Sequence, residues 1–189
     1  MTTGPDRFSC QHSEPSQLGF APLFARFWES VVPPHETEAE ARFIEQALGL
    51  AAPARILVLP SGGARLALAL AAKGHEIRGV DSCPDAVARA QTLAGQSPGA
   101  AASFTHCPQL SVPSDLPHDA AICLRHGLPA PMVRSLLVRV SEVLSPGGRA
   151  VFELAGPCPP LPPTLRLKSL PIGTVGPGGP RPLLVCERV

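Results

Sequence analysis

Apolar positions keep two different rhythms along this chain. In "HETEAEARFIEQALGL", Phe43, Ile44, Ala47 and Leu48 recur at helical spacing and share one face. Thr37 and Glu40 stand in capping-box spacing at the start, and Gly49 stops the pattern as a C-cap, so a helix is predicted here. An earlier apolar stripe, Phe20, Leu23, Phe24, Phe27 and Trp28, also has helical spacing. From Arg55 onward the rhythm becomes short β-rich runs separated by helices: "RILVLP", a helix over 64–73, "EIRGVD", a helix over 84–94, "ASFTHC", "HDAAICLR", a helix over 130–144, and "RAVFEL". The β-runs are apolar on both faces, as buried parallel strands are, and their alternation with helices specifies right-handed crossovers in an α/β sheet.

Two stretches break that alternation. "PQLSVPSDLP" carries three prolines between the third and fourth strands and cannot form a regular helix. After Leu154, "AGPCPPLPP" reads as a stiff linker, and "TLRLKSLPI" and "RPLLVCERV" can pair as an antiparallel hairpin across "GTVGPGGP". The fold class expected is α/β, Rossmann-like and doubly wound. Its sheet has seven strands, mostly parallel, and closes with the C-terminal antiparallel hairpin. Residues 1–18 are expected to be a flexible arm and 19–189 a single domain: cap helices over 19–50, a βα core over 54–154, and the linker with its hairpin over 155–189.

Composition narrows the partners. The 189 residues carry a formal charge of +1 and no Lys/Arg run, so no field draws in nucleic acid or an anionic membrane. The six cysteines are widely spaced and form no C-x-x-C pair, which argues against zinc and against a disulfide framework. No metal site emerges from the six histidines, which show no ligand spacing. The opening residues contain no apolar signal segment and no membrane-spanning run occurs, so a cytoplasmic location is expected.

The candidate chemistry sits at the first strand-to-helix turn. Ligands of open α/β sheets lie beyond the C-terminal ends of the strands. Pro60, Ser61, Gly62 and Gly63 form that turn, and the helix after it offers free N–H groups and a positive dipole end. Asp81 ends the next β-run, where its carboxylate can accept from both hydroxyls of a ribose; the pattern points to an adenosine-containing cofactor. The G-x-G-x-x-G fingerprint of NAD sites is absent, since Pro60 and Ala64 flank Gly62 at two-residue spacing, and no G-K-[ST] follows for a Walker A loop. Plainer readings stand beside these: Asp81 as a helix N-cap, the glycines as an unliganded tight turn, and Trp28 with Phe24 and Phe27 as core packing. His126 follows the fourth strand, at the mouth, and could serve as a general base, with Arg125 beside it for an anionic substrate; both also fit an exposed rim.

The stretch "ILVLPSGGARLALALAAKGHEIRGVDSCP" resembles, without a gap, the first motif of class I S-adenosylmethionine-dependent methyltransferases of the small bacterial methyltransferase-domain type, which reads like ILDLPCGTGR-x-A-L-x-LA-x-x-G-H-x-V-x-GVD-x-SP. "VSEVLSPGGRAVFEL" is similar to that family's "vLkPGGrlvfel", and the entry helices resemble its N-terminal cap; the likeness spans about residues 20 to 155. The resemblance implies S-adenosylmethionine as cofactor and methyl transfer to a small-molecule acceptor. It assigns Pro60, Ser61, Gly62 and Gly63 to the methionine moiety, Asp81 to the ribose, Ser82 and Pro108 to the surroundings of adenine, and Leu124, Arg125 and His126 to the acceptor side, with His126 as the candidate catalytic residue. The sequence departs from the family where Val58 replaces an acid, Ala64 replaces a glycine, and Cys107 with Pro108 stands where an adenine-binding acid is common. Those departures read as a degenerate cofactor motif. They leave a second function open, a catalytically inactive methyltransferase-like scaffold or regulatory subunit in a homo- or hetero-dimer.

Overall fold

The computed structural model describes residues 32–107, 117–124, 130–154, 158–169, 172–173 and 181–189. The expected N-terminal arm, the stripe from Phe20 to Trp28, and Pro108, Arg125 and His126 lie outside these residues.

Helix α1 spans Pro34–Leu48 and β1 spans Arg55–Val58. Then follow α2 (Arg65–Ala71), β2 (Glu76–Asp81), α3 (Pro84–Gly95), β3 (Ala102–His106), β4 (His118–Cys123), α4 (Ala130–Val143), β5 (Leu144–Glu153), β6 (Leu165–Ser169), β7 (Ile172–Gly173) and β8 (Arg181–Arg188). The strands form one sheet in the order β3-β2-β1-β4-β5-β8-β6, with β7 bridged to β8 off the main path. The pairs among β3, β2, β1, β4 and β5 are parallel, and β8 is antiparallel to both β5 and β6. The order reverses between β1 and β4, which creates the crevice where an open α/β sheet takes its ligand.

Each strand's pleat sends alternate residues to opposite faces. Ile56, Val58, Ala120, Ile122 and Val151 pack with Ile44 and Leu48 of α1, Ala67 and Leu70 of α2, and Val87 and Ala90 of α3. Leu57, Leu59, Ala121, Cys123 and Phe152 pack on the other side with Leu136, Leu137 and Val140 of α4. Helices on both faces make the sheet doubly wound, which explains why its central strands are apolar throughout.

Two boundaries differ from the sequence expectation. Helix α1 begins at Pro34 with Pro33 as N-cap and no side-chain cap bond, so Thr37 and Glu40 lie inside the helix and do not cap it. Its other end is as expected: Gly49 adopts φ 60°, and the N–H groups of Gly49 and Leu50 return to Gln46 and Glu45. Strand β5 starts at Leu144, ahead of the "RAVFEL" run, because His118 pairs with Leu144 across a register shift.

Candidate functional site: the turn after β1

The main chain leaves β1 at its C-terminal end and turns beside β2. Ser61 N–H donates to the Val80 carbonyl (2.9 Å), which fixes the turn against the neighbouring strand. Gly62 takes φ 53°, a left-handed conformation that glycine adopts freely. Its N–H donates to Asp81 Oδ2 at 2.7 Å, while Cys83 N–H donates to Oδ1 at 2.8 Å. Asp81 is only 5% exposed. The carboxylate thus ties the glycine turn to the start of α3 with one bond from each oxygen. A carboxylate has about four lone-pair sites, so these two bonds do not exhaust its capacity to accept.

The plainer reading of Asp81 as a helix cap holds in part. The N-cap of α3 is Cys83, and Asp81 lies two residues before it, accepting its N–H. Capping does not account for the second bond, which reaches 19 residues back to Gly62.

Beyond the turn, Ala64 is fully buried and stands at φ 74°. A non-glycine residue in the left-handed region costs about 1–2 kcal/mol, and this conformation is a physical reason for the glycine common at the equivalent family position. Ala64 N–H bonds the Ser61 carbonyl (3.2 Å), and the Ala64 carbonyl accepts the first helical N–H of α2, from Leu68 (2.8 Å). Beneath the turn lies Gly79 of β2. A Cβ there would collide with the Phe104 ring and come within 2.9 Å of the Ser61 Cβ. A glycine inside a strand signals such a close approach, and the residue went unread in "EIRGVD".

The residues of the turn fit a polar ligand. Ser61 Oγ is buried with no hydrogen-bond partner among the described residues. Apart from its chain neighbours Ser61 and Gly63, no atom of the described residues lies within 4 Å of the point where a Cβ on Gly62 would sit. An unsatisfied hydroxyl is rare inside a folded protein and is commonly completed by a ligand or ordered water.

Around this centre, Ser82 is exposed at the rim, and His106 Nε2 donates to its carbonyl (3.2 Å). Cys107 N–H donates to the Asp81 carbonyl (2.8 Å), so β3 braces the acid from the far side. Leu124 is buried just past β4. Val58, buried in the core, presents no polar group to the crevice. Cys123, at the end of β4, is fully buried and donates to the Leu59 carbonyl (2.8 Å). Burial pushes its thiol well above the ordinary range, so Cys123 fills space and is no nucleophile.

The sequence also left Arg65 without a role. The structure binds it to the two residues in capping-box spacing: Nη1 donates to Thr37 Oγ1 (2.8 Å) and Nη2 to Glu40 Oε2 (2.5 Å). Thr37 and Glu40 sit one turn apart on α1, so their spacing served a distant partner.

A groove of about 440 Å³ lies at the opposite, N-terminal ends of the strands, lined by Arg55, Glu76, Arg78, Ser103 and His118. It shares no residue with the turn. Among the described residues no group of three or more His, Cys, Asp and Glu could hold a metal ion, and no helix is long and apolar enough to cross a membrane.

Sheet order, glycine turn and the acid closing β2 together define an α/β fold of the class I methyltransferase type. The family model for the methyltransferase domain matches residues 56–148, from β1 into β5, and over that stretch the chain is similar to the family. The matched stretch includes Val58, Ala64 and Cys107, and the expectation of a degenerate motif is not borne out. Among solved structures, TrmN from Thermus thermophilus is similar with a TM-score of 0.71 and 18% identity over 82% of this chain. This chain spans 52% of TrmN. The glycopeptide N-methyltransferase MtfA gives a TM-score of 0.64 and 15% identity, covering 81% of this chain and 90% of its own. Magnesium protoporphyrin IX methyltransferase from Synechocystis PCC 6803, solved with bound SAM, gives 0.65 and 15%, covering 88% and 84%. No curated protein matches the sequence at a significant level.

Proposed function

We propose that this protein binds S-adenosylmethionine at the turn after β1 and transfers its methyl group to a small-molecule acceptor. The observation that carries the reading is the buried Asp81 carboxylate, bonded to Gly62 N–H at 2.7 Å beside a turn with an unsatisfied Ser61 hydroxyl. In this reading Pro60, Ser61, Gly62 and Gly63 hold the methionine moiety, and Asp81 accepts from the ribose hydroxyls. Ser82 and Pro108 flank adenine, while Leu124, Arg125 and His126 border the acceptor, with His126 taking its proton. The bound cofactor supplies an electrophilic methyl group. The protein's own contribution is to hold an acceptor in line with it and to exclude water, so catalysis rests mainly on proximity. The five described cysteines are free thiols, which fits a reducing, cytoplasmic setting.

A second reading is a scaffold or regulatory subunit that binds no cofactor, supported by the apolar, buried Val58 at the end of β1. Calorimetric titration with S-adenosylmethionine and S-adenosylhomocysteine separates the two. Saturable binding that Asp81→Ala weakens supports the methyltransferase, and no heat up to millimolar ligand supports the scaffold.

A further inference from the structure

The turn is anchored at both ends, and the residue between the anchors is the one in an unfavourable conformation. On the β2 side Asp81 holds Gly62. On the other side Arg65, the first residue of α2, is bound to Thr37 and Glu40 of α1. Both α1 residues are 7% exposed, and the Arg65 side chain only 16%. Between the anchors stands Ala64, at φ 74° and ψ 5°. Alanine does not choose that conformation unaided. Something must impose it: Ala64 itself is bonded to Ser61 and Leu68, and the next residue, Arg65, is fixed to α1.

We infer that Arg65 is a positioning residue for the cofactor turn: pinned by Thr37 and Glu40, it fixes the start of α2 and thereby holds Ala64 left-handed. Released from the clamp, Ala64 relaxes towards negative φ, and the peptides on either side of it rotate. The turn from Ser61 to Ala64 then no longer holds its Ser61 and Asp81 bonds in the present geometry. Glycine at position 64 adopts the same φ without help, so the clamp matters because this chain has alanine there. The inference rests on the cofactor reading above for its ligand, but its structural part can be tested without one.

The test is a double-mutant cycle between the clamp and residue 64, in the full-length protein. Glu40→Gln retains a neutral acceptor for Arg65 and removes the charge. With Ala64 present, it is expected to weaken S-adenosylmethionine binding about tenfold by calorimetry, and in an Ala64→Gly background less than about threefold. Thr37→Val removes the other bond and should repeat the pattern at smaller size, which keeps the test open if Glu40→Gln folds poorly. Without ligand, hydrogen exchange of the peptide covering residues 61–65 should quicken in Glu40→Gln and slow again when Ala64→Gly is added. Equal losses of affinity in both backgrounds would mean that Glu40 merely docks α1, and the inference falls. Unchanged exchange overturns it as well. Exchange as expected, combined with no heat from wild-type protein and S-adenosylmethionine, leaves the clamp standing and removes the proposed function instead.

Discussion

Two carboxylates of the sheet, Asp81 on β2 and Glu187 on β8, meet opposite surroundings. Glu187 accepts from Arg149 Nε (3.1 Å) and Arg166 Nη2 (2.8 Å) on the flanking strands, and Lys168 Nζ lies 3.2 Å away. Three cations, the Arg166 bond foremost, pull its carboxyl down to about 2. Arg149 also donates to the Leu48 carbonyl (3.0 Å), so the cluster joins the end of α1 to the antiparallel edge. Asp81 pairs with no cation among the described residues; its partners are two neutral backbone N–H groups. One acid has its charge matched by neighbouring strands. The other holds main chain in place, with one backbone N–H on each oxygen. That difference separates a structural ion cluster from a candidate binding group more sharply than burial does.

The comparison breaks first at Gly79. Gly79→Val drives a branched side chain into Phe104 and Ser61, under the turn that Asp81 holds. Overpacking of this kind costs about 1–3 kcal/mol. Denaturant unfolding should show that loss, with S-adenosylmethionine binding abolished in the protein that remains folded. No such coupling is expected on the Glu187 side.

Asp81→Asn sharpens the contrast without changing shape. One carboxylate oxygen becomes an NH₂ facing a backbone N–H, and a bond to a charged acceptor contributes about 1.5–3 kcal/mol. Affinity for S-adenosylmethionine should fall roughly tenfold to a hundredfold by calorimetry. Binding within twofold of wild type would reduce Asp81 to turn scaffolding.

Glu187→Gln gives the complementary result. Melting temperature should drop at pH 7 while S-adenosylmethionine affinity stays the same. The smallest effect is the acid limb of stability. Because the folded carboxyl lies near 2 and its ordinary value is 4.5, the stabilisation is complete above about pH 4.5 and is lost as pH falls towards 2. The gap in melting temperature between wild type and Glu187→Gln should close across that window. A gap independent of pH would mean that charge is not what the cluster contributes.

The architecture was readable because local signals agreed with the global fold. Two-faced apolar β-runs, helical spacing between them and the Gly49 stop all point to a parallel α/β core, and each is a short-range pattern. The nearness of Asp81 to the glycine turn was readable for the same reason, since a strand, a turn and the next parallel strand fix the ends of adjacent strands side by side, but the bond from Gly62 to Asp81 was not. What failed depended on distant partners. Thr37 and Glu40 look the same as a capping box whether they serve their own helix or an arginine 28 and 25 residues away. "LSPGG" has the composition of a turn, yet His118 draws its first residue into the sheet. Ala64 could be seen to replace a glycine, but its left-handed backbone could not. No residue type announces a φ angle that its neighbours impose.

The interior position of β8 sets an order on how the sheet can be made. Strand β6 comes earlier in the chain than β8 yet, among the described residues, has no neighbour in the sheet other than β8. On a translating ribosome the β5 ladder of Ala150, Val151 and Phe152 therefore stays open until Leu184 to Cys186 emerge. An apolar, unpaired ladder is a template for pairing with other chains. Pairing with β8 is therefore what closes that side of β5.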